Sequence, residues 1–185
     1  MKDCITTYTK SQVNVLNPDP ETLYIEDVAH ALSMMTRAGG HFPTFFSVAQ
    51  HCLQCYEEAK ARSYSPEVCL ICLLHDASEA YLADVTRPVK KNMTMYIQIE
   101  EQLQNMLYEK FLGRLPDKRE LDLMQNIDDA ALYYEFVYFM DEKLFAEEPV
   151  MITSPDYTSR EMTSVENAYL KAFSQCVKAI ENANL

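Results

Sequence analysis

Glycine is nearly absent from this chain. Of 185 residues only Gly39, Gly40 and Gly113 are glycine. A fold that grips a nucleotide through a tight βα turn needs glycine where the backbone closes on phosphate. Neither a dinucleotide fingerprint nor a phosphate-cradling loop can be built from these three positions. Nor does any segment show sustained strand alternation; apolar residues recur at helical spacing instead. The expectation is an all-α fold, a helical bundle of about six helices in a single domain over residues 1–185.

The opening, 1–24, is polar, carries Pro18 and Pro20, and reads as extended or loop. A first helix starts at Ile25, with Val28, Ala29 and Leu32 in phase, and is expected to end at Gly39-Gly40. A second runs from about Thr44 to Arg62 on the stripe Phe45, Val48, Ala49, Cys52, Tyr56. A third opens after Ser65, with Pro66 and Glu67 in its first turn, and continues to about Tyr81. Residues 83–95 are expected to be a loop broken by Pro88. Further helices span about Tyr96–Leu112, stopped by Gly113, and Arg119–Met140. After a loop with Pro149 and Pro155, a last helix over 164–183 is expected to pack on the core.

Charge and composition remove several functions. The net charge of −12 repels DNA, RNA and anionic lipid, so neither polynucleotide nor membrane is an expected partner. No apolar run reaches the roughly 18 residues of a membrane span, and the sequence MKDCITTYTK has no signal-peptide core. Six cysteines then fit a reducing, cytoplasmic location.

The polar residues that break the apolar pattern carry the chemistry. In "LLHDASEAY", His75, Asp76 and Glu79 end the most apolar helix of the chain. His51 borders the apolar stripe of the second helix. In "IDDAALYYE", Asp128 shares a stripe with Leu121, Met124, Ala131, Leu132 and Glu135, whereas Asp129 shares its face with Asp122, Gln125 and Asn126 and is expected to face water. An inward carboxylate wants a cation. Two imidazoles and two carboxylates from three helices (His51, His75, Asp76 and Asp128) suit one divalent ion such as Mn, Co, Fe, Zn or Mg. Open coordination positions would admit a water able to attack a phosphoester.

These four residues resemble the signature of the HD-domain metal-dependent phosphohydrolases. The flanking stretches "RAGGHFPTFFSVAQH" (37–51) and "LLHDASEAYLADVTRPVK" (73–90) are similar to bacterial and phage HD hydrolases of the 5'-deoxynucleotidase kind. The motifs cover residues 25–135. The resemblance implies that His51, His75, Asp76 and Asp128 ligate the metal. It implies that Glu79 orients the attacking water or serves as acid and base, and that Asp84 lies at the sugar end. Arg37 would reach the phosphate, with Lys90 as a further phosphate candidate. The implied reaction is phosphate release from a small phosphorylated substrate, a (deoxy)nucleoside 5'-monophosphate. Alternatives are another small phosphoester, or a non-catalytic HD module that binds a nucleotide or a protein. Two departures narrow the reading: the deoxynucleotidases place an aromatic residue where this chain has Ala38, and alarmone hydrolases place an acidic pair where it has Glu79-Ala80. No histidine follows His75, so one ion is expected rather than two.

Plainer readings stand beside these. Glu79 could pair with Arg87, and Arg37 with Asp84. His30 and His41 read as structural, His41 as a support for Arg37. The pairs Cys52/Cys55 and Cys69/Cys72 lie mid-helix and read as small thiols buried between two helices, not a zinc site. Met34-Met35, the tyrosine-rich fifth helix and the last helix could each form a homodimer face.

Overall fold

The computed structural model describes residues 3–183. Among them the fold is all-α. The β ladder is a two-residue hairpin, β1 (Ile5–Thr6) antiparallel to β2 (Gln12–Val13). The helices are α1 (Ile25–Met34), α2 (Val48–Ala61), α3 (Pro66–Leu74), α4 (Glu79–Leu82), α5 (Arg87–Lys90), α6 (Thr94–Leu112), α7 (Lys118–Met140) and α8 (Met162–Ala183).

The centre of the bundle is α3. Ser65 caps it, its hydroxyl accepting from the Val68 amide at 3.4 Å, and Pro66 sits in the first turn, where a missing N–H costs nothing. Val68 through Leu74 are all buried. A helix apolar on every side needs neighbours on every side, and α2, α6, α7 and α8 all pack against it. α8 also closes on α1 and α2. A smaller cluster of Phe42, Phe46 and Phe139 fastens the segment before α2 to the end of α7.

Four expectations are corrected. α1 ends at Met34, not at the glycines, because Met35 turns extended and its carbonyl accepts from the Val48 amide at 3.0 Å. The glycines belong to a separate turn, Arg37–Gly40, in which Ala38, Gly39 and Gly40 all have positive φ. α2 begins at Val48 and not Thr44, because Ser47 and Gln50 form a reciprocal capping box. Pro88 does not break a loop; it opens the one-turn helix α5. Leu121, assigned to an inward stripe, is 38 % exposed, since the first turns of α7 project beyond the body of the bundle.

The third helix differs most from expectation. It stops at Leu74, and the chain passes through a tightened turn before α4. There Ala77, Glu79 and Tyr81 donate to carbonyls only three residues back. In an uninterrupted α-helix the Ser78 amide would donate to the Leu74 carbonyl. The side chain of Gln104, from α6, takes both ends of that missing bond. Its Oε1 accepts from Ser78 N at 3.0 Å and its Nε2 donates to Leu74 O at 2.8 Å. Tyr169 of α8 donates to Leu73 O at 2.7 Å. His75 Nδ1 contacts Cys72 O at 2.9 Å. The carbonyls of Cys72, Leu73 and Leu74, at the end of α3, are thus each met by a side chain.

Candidate metal centre

His51 comes from the first turn of α2, His75 and Asp76 from the turn after α3, and Asp128 from mid-α7. The structure brings all four together. His51 Nε2 lies 3.1 Å from His75 Nε2, 3.1 Å from Asp128 Oδ1 and 3.8 Å from Asp76 Oδ2. His75 Nε2 lies 3.2 Å from Asp76 Oδ2 and 3.7 Å from Asp128 Oδ1. An ion with bonds of about 2.1 Å sets its ligand atoms about 3.0–3.4 Å apart, from right-angled to tetrahedral geometry. The observed spacings need adjustments of a few tenths of an ångström at most, and the donor set is one a borderline divalent ion accepts.

Both imidazoles are held from behind. His51 Nδ1 meets Glu135 Oε1 at 2.6 Å, and Glu135 is fully buried. His75 Nδ1 donates to Cys72 O. With both Nδ1 atoms engaged as donors, both Nε2 lone pairs are left for the centre. Asp128 is steadied through its other oxygen: Oδ2 accepts from Arg87 at 2.6 Å and from Gln125 at 3.2 Å. Cys52 and Cys55 of α2 stand beside the imidazoles, close enough to share an ion with them.

A cationic side chain already marks the point where these atoms converge. The Arg37 guanidinium lies 3.1 Å from His51 Nε2, 3.5 Å from Asp76, 3.8 Å from Asp128 and 3.3 Å from Glu135. The left-handed turn beginning at Ala38, which an L-residue adopts at some cost, directs it there. Arg87 is shared between Asp128 and Asp129. Two guanidinium groups thus face four carboxylates, and the remaining balance falls to the two imidazoles, as protonated rings, or to an added cation. Partly buried carboxylates in such surplus demand further positive charge.

The field around these groups records that demand. Burial opposes ionisation of Asp76 and Asp128, yet the neighbouring imidazoles hold both carboxyls well below the usual range. Burial and Arg37 push the His51 imidazole down, but Cys55, Glu135 and Asp128 outweigh them and raise it. Burial likewise opposes protonation of His75, and Asp76 overrides it. A divalent ion would compete with those protons for the same lone pairs.

Glu79 and Asp84 sit differently. Glu79 is 4 % exposed, and its Oε2 is buried without a hydrogen-bond partner among the described residues. Burial, then Asp76 and Asp84, raise its carboxyl well above the ordinary value. Asp84 Oδ2 is also unpartnered, and burial raises its carboxyl too. Ala83, just before it, has φ 75° and ψ 154°, a region that glycine normally occupies. Lys90 reaches the same side: its Nζ bonds Glu100 at 2.8 Å and lies 3.9 Å from Glu79. His75, Asp76, Glu79, Lys90 and Gln104 line a cleft of about 280 Å³. The expected Glu79–Arg87 pair does not form, because Arg87 is committed to α7. Arg37 and Asp84 make no direct ion pair either; their interaction is through the local field. His41 is exposed rather than supporting Arg37. His30 is structural, paired with Glu166 at 3.0 Å and stacked on Tyr8.

No protein-family model matches the chain. Over 91 residues it is 34 % identical to the uncharacterized protein YfdR of Escherichia coli K12, a stretch that is 49 % of this chain and 48 % of YfdR. Over 107 residues it is 34 % identical to the uncharacterized protein RCAP_rcc00048 of Rhodobacter capsulatus, 54 % of each. The chain spans about half the length of these curated relatives.

Proposed function

We propose that this chain is a metal-dependent phosphohydrolase of the HD type, acting on (deoxy)nucleoside 5'-monophosphates. The observation that carries this reading is the convergence of His51, His75, Asp76 and Asp128 at metal-ligand spacing, with both imidazoles held from their Nδ1 side. A bound divalent ion would polarise the phosphoryl group and make water a better nucleophile at neutral pH. The protein's own groups do the rest. Arg37, drawn in by three carboxylates, is placed to exchange one of them for a substrate phosphate oxygen. Lys90 adds a second positive charge at the cleft wall. Glu79, whose buried Oε2 lacks a protein partner, can hand a proton to the leaving oxygen or take one from water. Asp84 offers an acceptor to a sugar hydroxyl.

A second reading draws on Arg37 itself. With its guanidinium at the convergence point, the cluster could be a permanent ion-pair network in a non-catalytic binding module. The Nδ1 contacts favour the metal, because they turn both Nε2 atoms toward the one point where two carboxylate oxygens also lie.

Metal analysis of the purified protein, followed by phosphate release from a panel of nucleoside monophosphates and other phosphomonoesters with Mn, Co and Mg, separates the two. Asp76→Ala is expected to abolish both metal binding and turnover; wild-type rates in that variant would remove the hydrolase reading. Glu79→Gln is expected to lower kcat by about 10²–10⁴ while metal content stays at the wild-type level. The free thiols of Cys4, Cys52, Cys55, Cys69, Cys72 and Cys176 suit a reducing compartment, and no helix among the described residues is long and apolar enough to cross a membrane.

A further inference from the structure

Sulfur stands where the four-ligand scheme has only nitrogen and oxygen. Cys55 follows His51 by four residues, so α2 presents both on one face. Its side chain is buried, and its Sγ lies 3.7 Å from His51 Nε2. His51, Cys55 and His75 are close enough to hold one ion between them. Cys52, one turn earlier, stands in the same relation to His75 and Asp76. None of these thiols is in a disulfide.

The distances allow ligation. An ion bonded to nitrogen at about 2.0 Å and to sulfur at about 2.3 Å sets the two donors about 3.1–3.5 Å apart. The observed 3.7 Å is within a small side-chain rotation of that range. Cys55 is favoured over Cys52 because its group includes both imidazoles, whereas that of Cys52 includes one.

The geometry points to Cys55 as a sulfur ligand that makes this centre prefer thiophilic divalent ions, such as zinc, cobalt(II) or cadmium, over magnesium and manganese. Imidazole with thiolate suits the softer ions, and the carboxylates of Asp76 and Asp128 alone would suit the harder ones. When the bond forms, the thiol proton leaves to solvent and the sulfur donates a lone pair to the ion; nothing is oxidised. The inference rests on the metal-centre reading above and adds a donor to it.

The test is titration of the chelator-stripped full chain with cobalt(II), read by absorption. The expected spectrum combines visible ligand-field bands with a near-ultraviolet sulfur-to-cobalt charge-transfer band. That band is expected to vanish in Cys55→Ser and in Cys55→Ala and to persist in Cys52→Ala. Two Cys55 variants of opposite polarity, both checked by circular dichroism, keep the result independent of any one variant's folding. Cadmium affinity should fall at least about tenfold in Cys55→Ser, the scale on which even outer-shell changes act, while manganese affinity should hold. Ligand-field bands without charge transfer, or a band that survives both Cys55 substitutions, would overturn the sulfur assignment and leave the metal centre standing. Failure of the wild-type protein to bind cobalt at all would overturn both.

Discussion

Glu135 fixes what His51 can do. Its carboxylate meets His51 Nδ1 at 2.6 Å and Arg37 Nε at 3.3 Å, so one buried group orients two members of the centre. Glu135→Gln keeps the shape and removes the charge. It is expected to weaken divalent-ion affinity by about 10–100-fold, measured by calorimetric titration, with an unchanged far-ultraviolet spectrum. At this scale the sequence was informative wherever a polar side chain interrupted an apolar stripe. That signal marks His51, His75, Asp76 and Asp128, and it marks Glu135 seven residues past Asp128. It fails where the partner is backbone or comes from an unremarkable surface pattern. Nothing in the sequence tells that the Cys72 carbonyl anchors His75, or that Arg87 belongs to Asp128 and Asp129 rather than to Glu79. Both depend on how two elements are set against each other.

Gln104 and Glu58 show the same limit for elements. Helix periodicity located the long helices well, because burial of an apolar stripe repeats through the sequence. It could not locate the interruption after Leu74, since the residues there remain compatible with helix and the break is stabilised by a glutamine from α6. Gln104→Ala removes the acceptor of the Ser78 amide and is expected to cost about 1–3 kcal/mol, read by urea unfolding. It should also weaken metal binding, because His75 and Asp76 sit on the released turn. Glu58 does comparable work for the segment between α7 and α8. It is fully buried and accepts from Arg62 Nε, from the amides of Ile152 and Thr153, and from the Thr153 hydroxyl, at 2.7–2.9 Å. Burial opposes its charge, but these donors win and hold the carboxyl below its ordinary value of 4.5. A depressed carboxyl stabilises the fold above its unfolded value and loses that contribution as pH falls through the folded one. Wild-type stability is therefore expected to drop as pH falls below about 4.5, and Glu58→Gln should flatten that part of the curve while lowering stability at pH 7 by about 2–3 kcal/mol.

On the scale of the molecule, a net charge of −12 would oppose the approach of any anionic substrate to a site lined by carboxylates. Repulsion of this kind is screened by salt. If the chain hydrolyses a nucleotide, KM should fall as ionic strength rises from about 0.01 to 0.15 M, across which the Debye length shrinks from roughly 30 to 8 Å, with kcat little changed. Steady-state kinetics at the two salt levels would measure it. The sequence placed the last helix on the core but could not say what it covers there. α8 closes over α1 and α3, and Tyr169 ties directly to the residue two positions before His75. While the polypeptide is being made, every residue of the four-membered cluster has been polymerised by position 128. One of their braces has not. The end of α3, just before His75 and Asp76, lacks its tyrosine brace until some forty further residues have been added, so that brace can join only late in synthesis, even though the cluster's own residues are made early.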